Sequence, residues 1–171
     1  QGTVVIGEPG YQTQPEVHTG RVRIYRRGQD GAWALFQNLN YPDEAIGEES
    51  EVWARLGSSV AIDGDLIAAG APLQDIADPI RKLRDAGTVL LYRRGEDGTW
   101  SFSGQLVNPI RLAAFVYGHF GESVAVNGDL IVVGAPGDSD RATHGRGIIF
   151  ERQLDGSWAD VLHYWVRDEN R

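Results

Sequence analysis

Residues that could carry catalysis are few, and none stands in a pattern that supports a reaction. The chain has no cysteine, which excludes disulfides, zinc–cysteine centres and thiol catalysis. Ser59 and Ser123 lie outside any Gly-x-Ser-x-Gly motif, and the glycine pair at 145–147 does not form a dinucleotide fingerprint. The histidines lie at no metal-ligand spacing: His18, His119, His144 and His163. The sequence therefore predicts no catalytic residue, no metal and no cofactor, and we expect the chain not to be an enzyme.

Composition and charge narrow the class of partner. The formal net charge is −8, so a nucleic acid is not expected, because binding its phosphates requires a basic face. No apolar run approaches the ~20 residues that span a bilayer, and we expect no membrane insertion. A chain of 171 residues with 22 glycines fits one domain rich in tight turns.

An internal repeat organises the chain. LGSSVAIDGDLIAAGAP (56–72) aligns with FGESVAVNGDLIVVGAP (120–136) at an offset of 64, with 11 identities in 17 positions. TVVIGEPG (3–10) matches the end of the same block. A second block closes on a tryptophan each time: GRVRIYRRGQDGAW (20–33), GTVLLYRRGEDGTW (87–100) and GRGIIFERQLDGSW (145–158). We expect one domain, 1–171, built from units at about 3–55, 56–119 and 120–171.

Each unit reads as short strands. Asp63-Gly64 and Asn127-Gly128 lie between apolar runs and predict type I′ hairpin turns. The apolar run 130–133 predicts a strand buried on both faces, and Trp100 begins a fourth strand that ends near Val107. Segments 79–86 and 109–119 hold a helical turn at most. Four antiparallel strands whose inner members are covered on both faces predict an all-β fold, a β-propeller of stacked blades.

The motifs resemble the FG-GAP repeat, the blade unit of the integrin α propeller. Phe120-Gly121 and Gly134-Ala135-Pro136 carry both halves of that name, and 56–72 carries a Leu-Gly variant. The resemblance implies propeller blades. Many such blades hold calcium in a DxDxDG loop, but here two-residue turns replace that loop, too few for the six to eight oxygens that calcium takes. We therefore expect no calcium site.

The short-turn form resembles the FG-GAP variety common in bacterial exported and surface proteins. This resemblance implies an extracellular or cell-surface location and a role such as protein binding or cell adhesion. The first unit has no counterpart of the inner strand, so the chain offers about three blades, the first incomplete, where propellers close with four to eight. We expect a fragment of a larger propeller, which the missing methionine favours; the alternative is that copies of the chain associate, for example two halves in one ring.

The connections that follow each Gly-x-Pro and those that link the units differ between copies, so we place any ligand site there. The expected partner is a protein or a glycan, bound through repeated loops of one propeller face. The candidate ligand-binding residues are Tyr11, His18, Trp53, Asp75, Asp78, Arg81, Asp138, Asp140, Arg141 and His144.

Alternatives stay open at several of these positions. Asp138 and Asp140 could ligate a cation or could belong to a solvated acidic loop. The three repeated tryptophans could stack on sugars, but packing against the next blade is the simpler interpretation. For the whole chain, a binding module is the first hypothesis. The alternative is an accessory propeller of a larger extracellular enzyme whose catalytic domain lies outside this chain.

Overall fold

The computed structural model describes residues 2–12, 19–42, 53–77, 82–109, 117–140 and 143–167. All regular structure in these ranges is β-strand. No helix of the described residues is long and apolar enough to cross a membrane. The strands, in chain order, are β1 (Thr3–Glu8), β2 (Arg21–Arg27), β3 (Trp33–Asn40), β4 (Ser59–Asp63), β5 (Leu66–Ala71), β6 (Ile76–Ala77), β7 (Lys82–Leu83), β8 (Thr88–Arg94), β9 (Trp100–Val107), β10 (Ser123–Asn127), β11 (Leu130–Asp140), β12 (Thr143–Arg152) and β13 (Trp158–Arg167).

The strands form one antiparallel sheet per unit, as predicted. The first sheet has the order β1-β2-β3, the second β4-β5-β8-β9 and the third β10-β11-β12-β13. An additional two-stranded sheet, β6-β7, was not predicted. It lies in the connection after Pro72, where Ile76 pairs with Leu83 and Ala77 pairs with Lys82.

The hairpin turns differ from the prediction by one residue and in type. Asp63 pairs with Leu66, so the two central residues are Gly64 and Asp65 rather than Asp63 and Gly64. Gly64 has a φ of +57°, while Asp65 is not among the residues with positive φ. Positive φ at the first central position alone, with glycine there, is the pattern of a type II′ turn. The third unit repeats it with Gly128, also at +57°.

Two cores hold the sheets together, one between each pair of neighbours. The first joins Val22 and Ile24 of the first sheet to Ile67, Leu90 and the other buried residues on one face of the second. The second core joins the opposite face of the second sheet to the third and includes the fully buried Phe120. Strand β5 is therefore buried on both faces, as its continuous apolar sequence requires.

The prediction of two covered faces is wrong for β11. Ile131 and Val133 are buried against the second sheet, but Leu130 is 45% exposed and Val132 44% exposed. Successive side chains of a strand point to opposite faces, and no sheet of the described residues covers the outer face of the third sheet.

Backbone contacts explain the Phe-Gly and Gly-Ala-Pro signatures. A Cβ atom built on Gly70 would lie 1.9 Å from the carbonyl oxygen of Gly121, so the two backbones touch where neither residue has a side chain. Gly7 and Gly57 repeat the contact, again with 1.9 Å from the built Cβ to the Gly57 oxygen. The glycine of one unit's Gly-x-Pro thus packs on the glycine that begins the next unit.

Candidate functional site

The variable connections meet at one end of the three sheets, which we call the loop face. It comprises the described residues 9–12, 19–20, 41–42, 53–58, 72–77, 82–87, 108–109, 117–122 and 136–140. Hydrogen bonds join the segment that begins the second unit, and the one that begins the third, to the residue that follows the Gly-Ala-Pro of the same unit. The Ala54 carbonyl accepts from the Leu73 N–H at 3.3 Å, and the Gly118 carbonyl accepts from the Gly137 N–H at 3.1 Å in the next unit.

The same two segments are anchored to the preceding unit. The N–H of Leu56 donates to the Thr19 carbonyl at 2.8 Å, and that of Phe120 donates to the Ala86 carbonyl at 3.0 Å. Parallel bridges form at both places, between Gly20 and Leu56 and between Gly87 and Phe120. Segments 53–57 and 117–121 therefore have equivalent positions in a rigid framework.

An exposed aromatic ring recurs at these positions. Trp53 is 54% exposed and its counterpart at the offset of 64, Tyr117, is 53% exposed. Two residues further on, Arg55 and His119 also correspond, and both have positive φ, +59° and +51°. A positive φ is uncommon outside glycine, so its recurrence shows that the two segments share the backbone conformation at Arg55 and His119. At the ring position they differ, because Tyr117 has a φ of +69° and Trp53 is not among the residues with positive φ. Each segment thus carries an exposed aromatic ring and, two residues further along the chain, a basic residue.

Sequence reasoning selected Trp53 but missed Tyr117. The repeat offset applied to Trp53 points directly to Tyr117, so the signal was present in the alignment. Tryptophan and tyrosine combine an apolar ring with a polar group, and Arg or His adds hydrogen-bond donors. Such a pair can stack on an apolar surface and hold a polar group at its edge.

Tyr11 and Asp138 occupy equivalent places beneath the loop face, and both face an arginine. The Arg21 guanidinium lies 3.6 Å from the centre of the Tyr11 ring. In the third unit Arg146 Nη1 lies 3.7 Å from Asp138 Oδ2, with both side chains fully buried. The Asn108 side-chain amide also donates to Asp138. The guanidinium of Arg146 stacks on Trp165 at 3.5 Å from the ring centre.

These contacts correct one expectation. Asp138 does not belong to a solvated acidic loop, because its carboxylate is enclosed with Arg146. Burial raises the pKa of Asp138, while the hydrogen bond from Asn108 and the charge of Arg146 oppose the rise. In this structure the carboxylate is engaged in an internal ion pair.

Asp75 and Asp85 form a small acidic cluster on the loop face. The Asp75 Oδ1 accepts the backbone N–H of Asp85 at 2.8 Å. Burial raises the pKa of Asp85, the nearby charge of Asp75 adds to the rise, and His119 and Arg84 oppose it. His119 is held there by its backbone N–H, which donates to the Asp85 carbonyl at 3.1 Å. No group of three or more His, Asp or Glu side chains in the described ranges could hold a metal ion.

Of the remaining candidates, the structure describes only Asp140 and His144. Asp140 pairs with Thr143 and Ser139 with His144, so Asp140 and His144 lie near the tip of the β11–β12 hairpin at the loop face. Four candidates lie outside the described residues: His18, Asp78, Arg81 and Arg141.

The repeated tryptophans were expected to pack against the next blade, and this direction is wrong: where they pack, the neighbouring sheet is that of the preceding unit. Trp100 is 3% exposed and belongs to the core with the first sheet. The Gln37 amide binds its backbone at both groups, with Nε2 to the Trp100 carbonyl at 2.7 Å and the Trp100 N–H to Oε1 at 2.8 Å. Trp158 packs on the second core, while Trp33 is 48% exposed. Burial excludes sugar stacking for Trp100.

Stacked antiparallel sheets joined through their inner strands are the blades of a β-propeller-type fold. Residues 116–149 match a family model described as FG-GAP repeat, which covers the segment with Tyr117, the inner hairpin and the start of β12. The third unit is therefore an FG-GAP repeat, and the resemblance stated from the motifs is confirmed. A search of the curated proteins found no match.

Proposed function

We propose that this chain is a non-catalytic binding module of a secreted or cell-surface protein, which recognises a protein or glycan ligand through its loop face. The observation that carries the proposal is the repeated pair of an exposed ring and a basic residue, Trp53 with Arg55 and Tyr117 with His119. FG-GAP propeller domains are generally non-catalytic and typically occur in extracellular proteins.

The pairs are well suited to recognition. The residues that follow each ring are hydrogen-bonded through their backbone to two neighbouring loops, so little backbone freedom remains there to be lost on binding. Aromatic residues and arginine are the residue types enriched at binding hot spots. Two equivalent pairs on one rigid face would bind a repetitive ligand with higher avidity than either pair alone.

The acidic cluster beside the second pair adds hydrogen-bond acceptors. Asp85 lies next to both Asp75 and His119, so this part of the loop face offers both hydrogen-bond donors and acceptors. A role as accessory propeller of a larger extracellular enzyme uses the same face, and the flanking coding sequence separates it from a free-standing adhesive array.

The test is a glycan array and affinity capture from surface extracts, followed by titration of the ligand against variants. We expect the double variant Trp53→Ala/Tyr117→Ala to bind at least about tenfold more weakly, a loss of about 1.4 kcal/mol. The matched control is Trp33→Ala, which removes a similarly exposed ring at the opposite end of the sheets. Equal binding by the double variant and the wild type would contradict the proposal.

A further inference from the structure

The inner turn of the third unit contains the single Asn-Gly step of the chain, Asn127-Gly128. Asn127 ends β10, is exposed, and pairs with Leu130 across the turn. Gly128 has a φ of +57°, and a Cβ atom built on it meets nothing within 4 Å. The peptide bond between the two residues is therefore open to solvent, and no side chain at position 128 shields its nitrogen.

Asparagine is chemically labile, and a following glycine allows it to cyclise without an enzyme, because glycine adopts many backbone conformations and has no side chain to hinder attack. The backbone nitrogen of Gly128 attacks the side-chain carbon Cγ of Asn127, and an N–Cγ bond forms. The Cγ–Nδ2 bond breaks, the proton of the Gly128 nitrogen passes to the leaving group, and ammonia departs. Water then opens the succinimide ring at either of its carbonyls, which leaves aspartate or isoaspartate at position 127.

The nitrogen that would react is held by the second unit. The Gly128 N–H donates to the Asp63 carboxylate, with 2.7 Å between the nitrogen and Oδ2. Attack on Asn127 requires this nitrogen to leave the hydrogen bond and to lose its proton. The carboxylate opposes both steps, because it anchors the N–H and because its negative charge would lie beside that of the deprotonated nitrogen.

The Asp-Gly steps of the outer turns have a different environment. Asp97 and Asp155 each accept the backbone N–H two residues further on, that of Thr99 and that of Ser157, both at 2.9 Å. These hydrogen bonds lower the pKa of both carboxyl groups. An ionised carboxylate is a poor target for an attacking nitrogen, whereas the Asn127 amide carries no charge, so Asn127 is the more reactive side chain.

We infer that Asn127-Gly128 is a site of spontaneous succinimide formation and that the Asp63 carboxylate of the second unit restrains the reaction. When the turn opens and Asp63 releases the N–H, Asn127 converts to aspartate or isoaspartate. Isoaspartate adds a methylene group to the main chain and displaces the Gly128 N–H from Asp63. Conversion therefore breaks a contact between the second and third units. The inference does not depend on the function proposed for the loop face.

The experiment incubates the full chain at mildly alkaline pH and follows residue 127 by peptide mapping and mass spectrometry, with the aspartate and isoaspartate peptides separated by chromatography. We expect slow conversion in the folded wild type. Asp63→Ala should convert about threefold to tenfold faster, because the turn opens more often once this hydrogen bond is lost. Asp65→Ala is the matched control and should convert at the wild-type rate, since Asp65 lies in the same turn but its Oδ2 faces Arg93 at 3.4 Å.

Unfolding in urea is the second control, because all three proteins should then convert at one rate, faster than the folded wild type. Melting curves establish that each variant is folded, and Asp63→Ser, which removes the charge but keeps a polar side chain, provides the test if Asp63→Ala is not. The inference is overturned if residue 127 converts in neither folded protein, or if Asp63→Ala converts no faster than the wild type. Equal acceleration by Asp65→Ala would also overturn it, since the effect would then belong to the turn as a whole.

Discussion

Asp138 and Arg146 stabilise each other in a place where neither charge has access to solvent. Removing one partner of such a pair leaves the other charge buried, which costs more than the pair contributes. The equivalent positions hold Tyr11 and Arg21 in the first unit, where the guanidinium lies over the ring, and Gln74 and Thr88 in the second. In the second unit the Gln74 amide donates to the Asp75 carbonyl and the Thr88 hydroxyl to the Leu106 carbonyl, so the ion pair is particular to the third unit among these three.

The substitution Asp138→Asn tests this pair. At neutral pH we expect a loss of about 3 kcal/mol in the free energy of unfolding, because Arg146 keeps its charge without the carboxylate. The pKa of Asp138 is raised in the fold, so the native protein takes up this proton before the unfolded chain does. Because the folded protein holds this proton more tightly, the wild type should gain stability relative to the variant as the pH falls, and the difference between them should widen on acidification, beginning above the ordinary aspartate pKa.

Urea unfolding at a series of pH values measures this difference. Asp129→Asn is the control, because Asp129 is an exposed residue 3.9 Å from Arg152 and should contribute about 0–1 kcal/mol. A gap for Asp138→Asn that stays constant down to pH values below the ordinary aspartate pKa would contradict the assignment.

At the scale of the elements, each sheet is completed by the side chains of its neighbour. The tryptophan that begins the last strand of a unit fills the core toward the preceding sheet. Trp33 has the same position in its own sheet but remains half exposed, since no described sheet lies on that side.

Comparing Trp100→Ala with Trp33→Ala isolates this contribution. We expect Trp100→Ala to lower the free energy of unfolding by roughly 3–5 kcal/mol, since it empties a buried aromatic site. Trp33→Ala, in the same sequence context but half exposed, should cost clearly less. Thermal and urea unfolding provide the measurement. Similar losses for the two variants would contradict the claim that the packing of Trp100 against the first sheet stabilises the fold.

The elements were predictable where local sequence and packing agree. Trp100–Val107 is the strand expected, because turn residues precede it in the sequence. In the structure, the exposure of its residues alternates along most of its length. The turn at Gly64 was misplaced by one residue, because Asp-Gly favours a type I′ turn locally while the ladder extends through Asp63. The β6–β7 hairpin was missed, since two-residue strands carry no periodic signal.

The candidate site was less predictable for a related reason. Variability selected the loops as candidates, but it does not distinguish a residue that faces solvent from one beneath the surface. Trp53 and Asp138 were selected together, yet the first is exposed and the second is fully buried. Only the contact with Arg146, eight residues further along and on the next strand, decides the role of Asp138.

For the molecule as a whole, calcium provides a simple test of how the units are stabilised. The inner turns are two residues long and commit their backbone to the hairpins. The Asp63 carboxylate accepts a hydrogen bond from the Gly128 N–H at 2.7 Å, so one oxygen of this turn residue is already engaged in a contact between units. Scanning calorimetry with millimolar calcium and with a chelator should give the same Tm. A calcium-dependent rise in Tm would contradict this expectation, and a magnesium series serves as the control for ionic strength.

The glycine contacts between units have a consequence for how such a chain changes over generations. Where Gly70 meets Gly121 and Gly7 meets Gly57, the distance between neighbouring sheets is set by main-chain atoms, which are identical in every residue. A unit can therefore accumulate substitutions across its loops without altering the spacing that its neighbours require. Gene duplication can then add or exchange whole units, because each new copy brings a compatible contact with it.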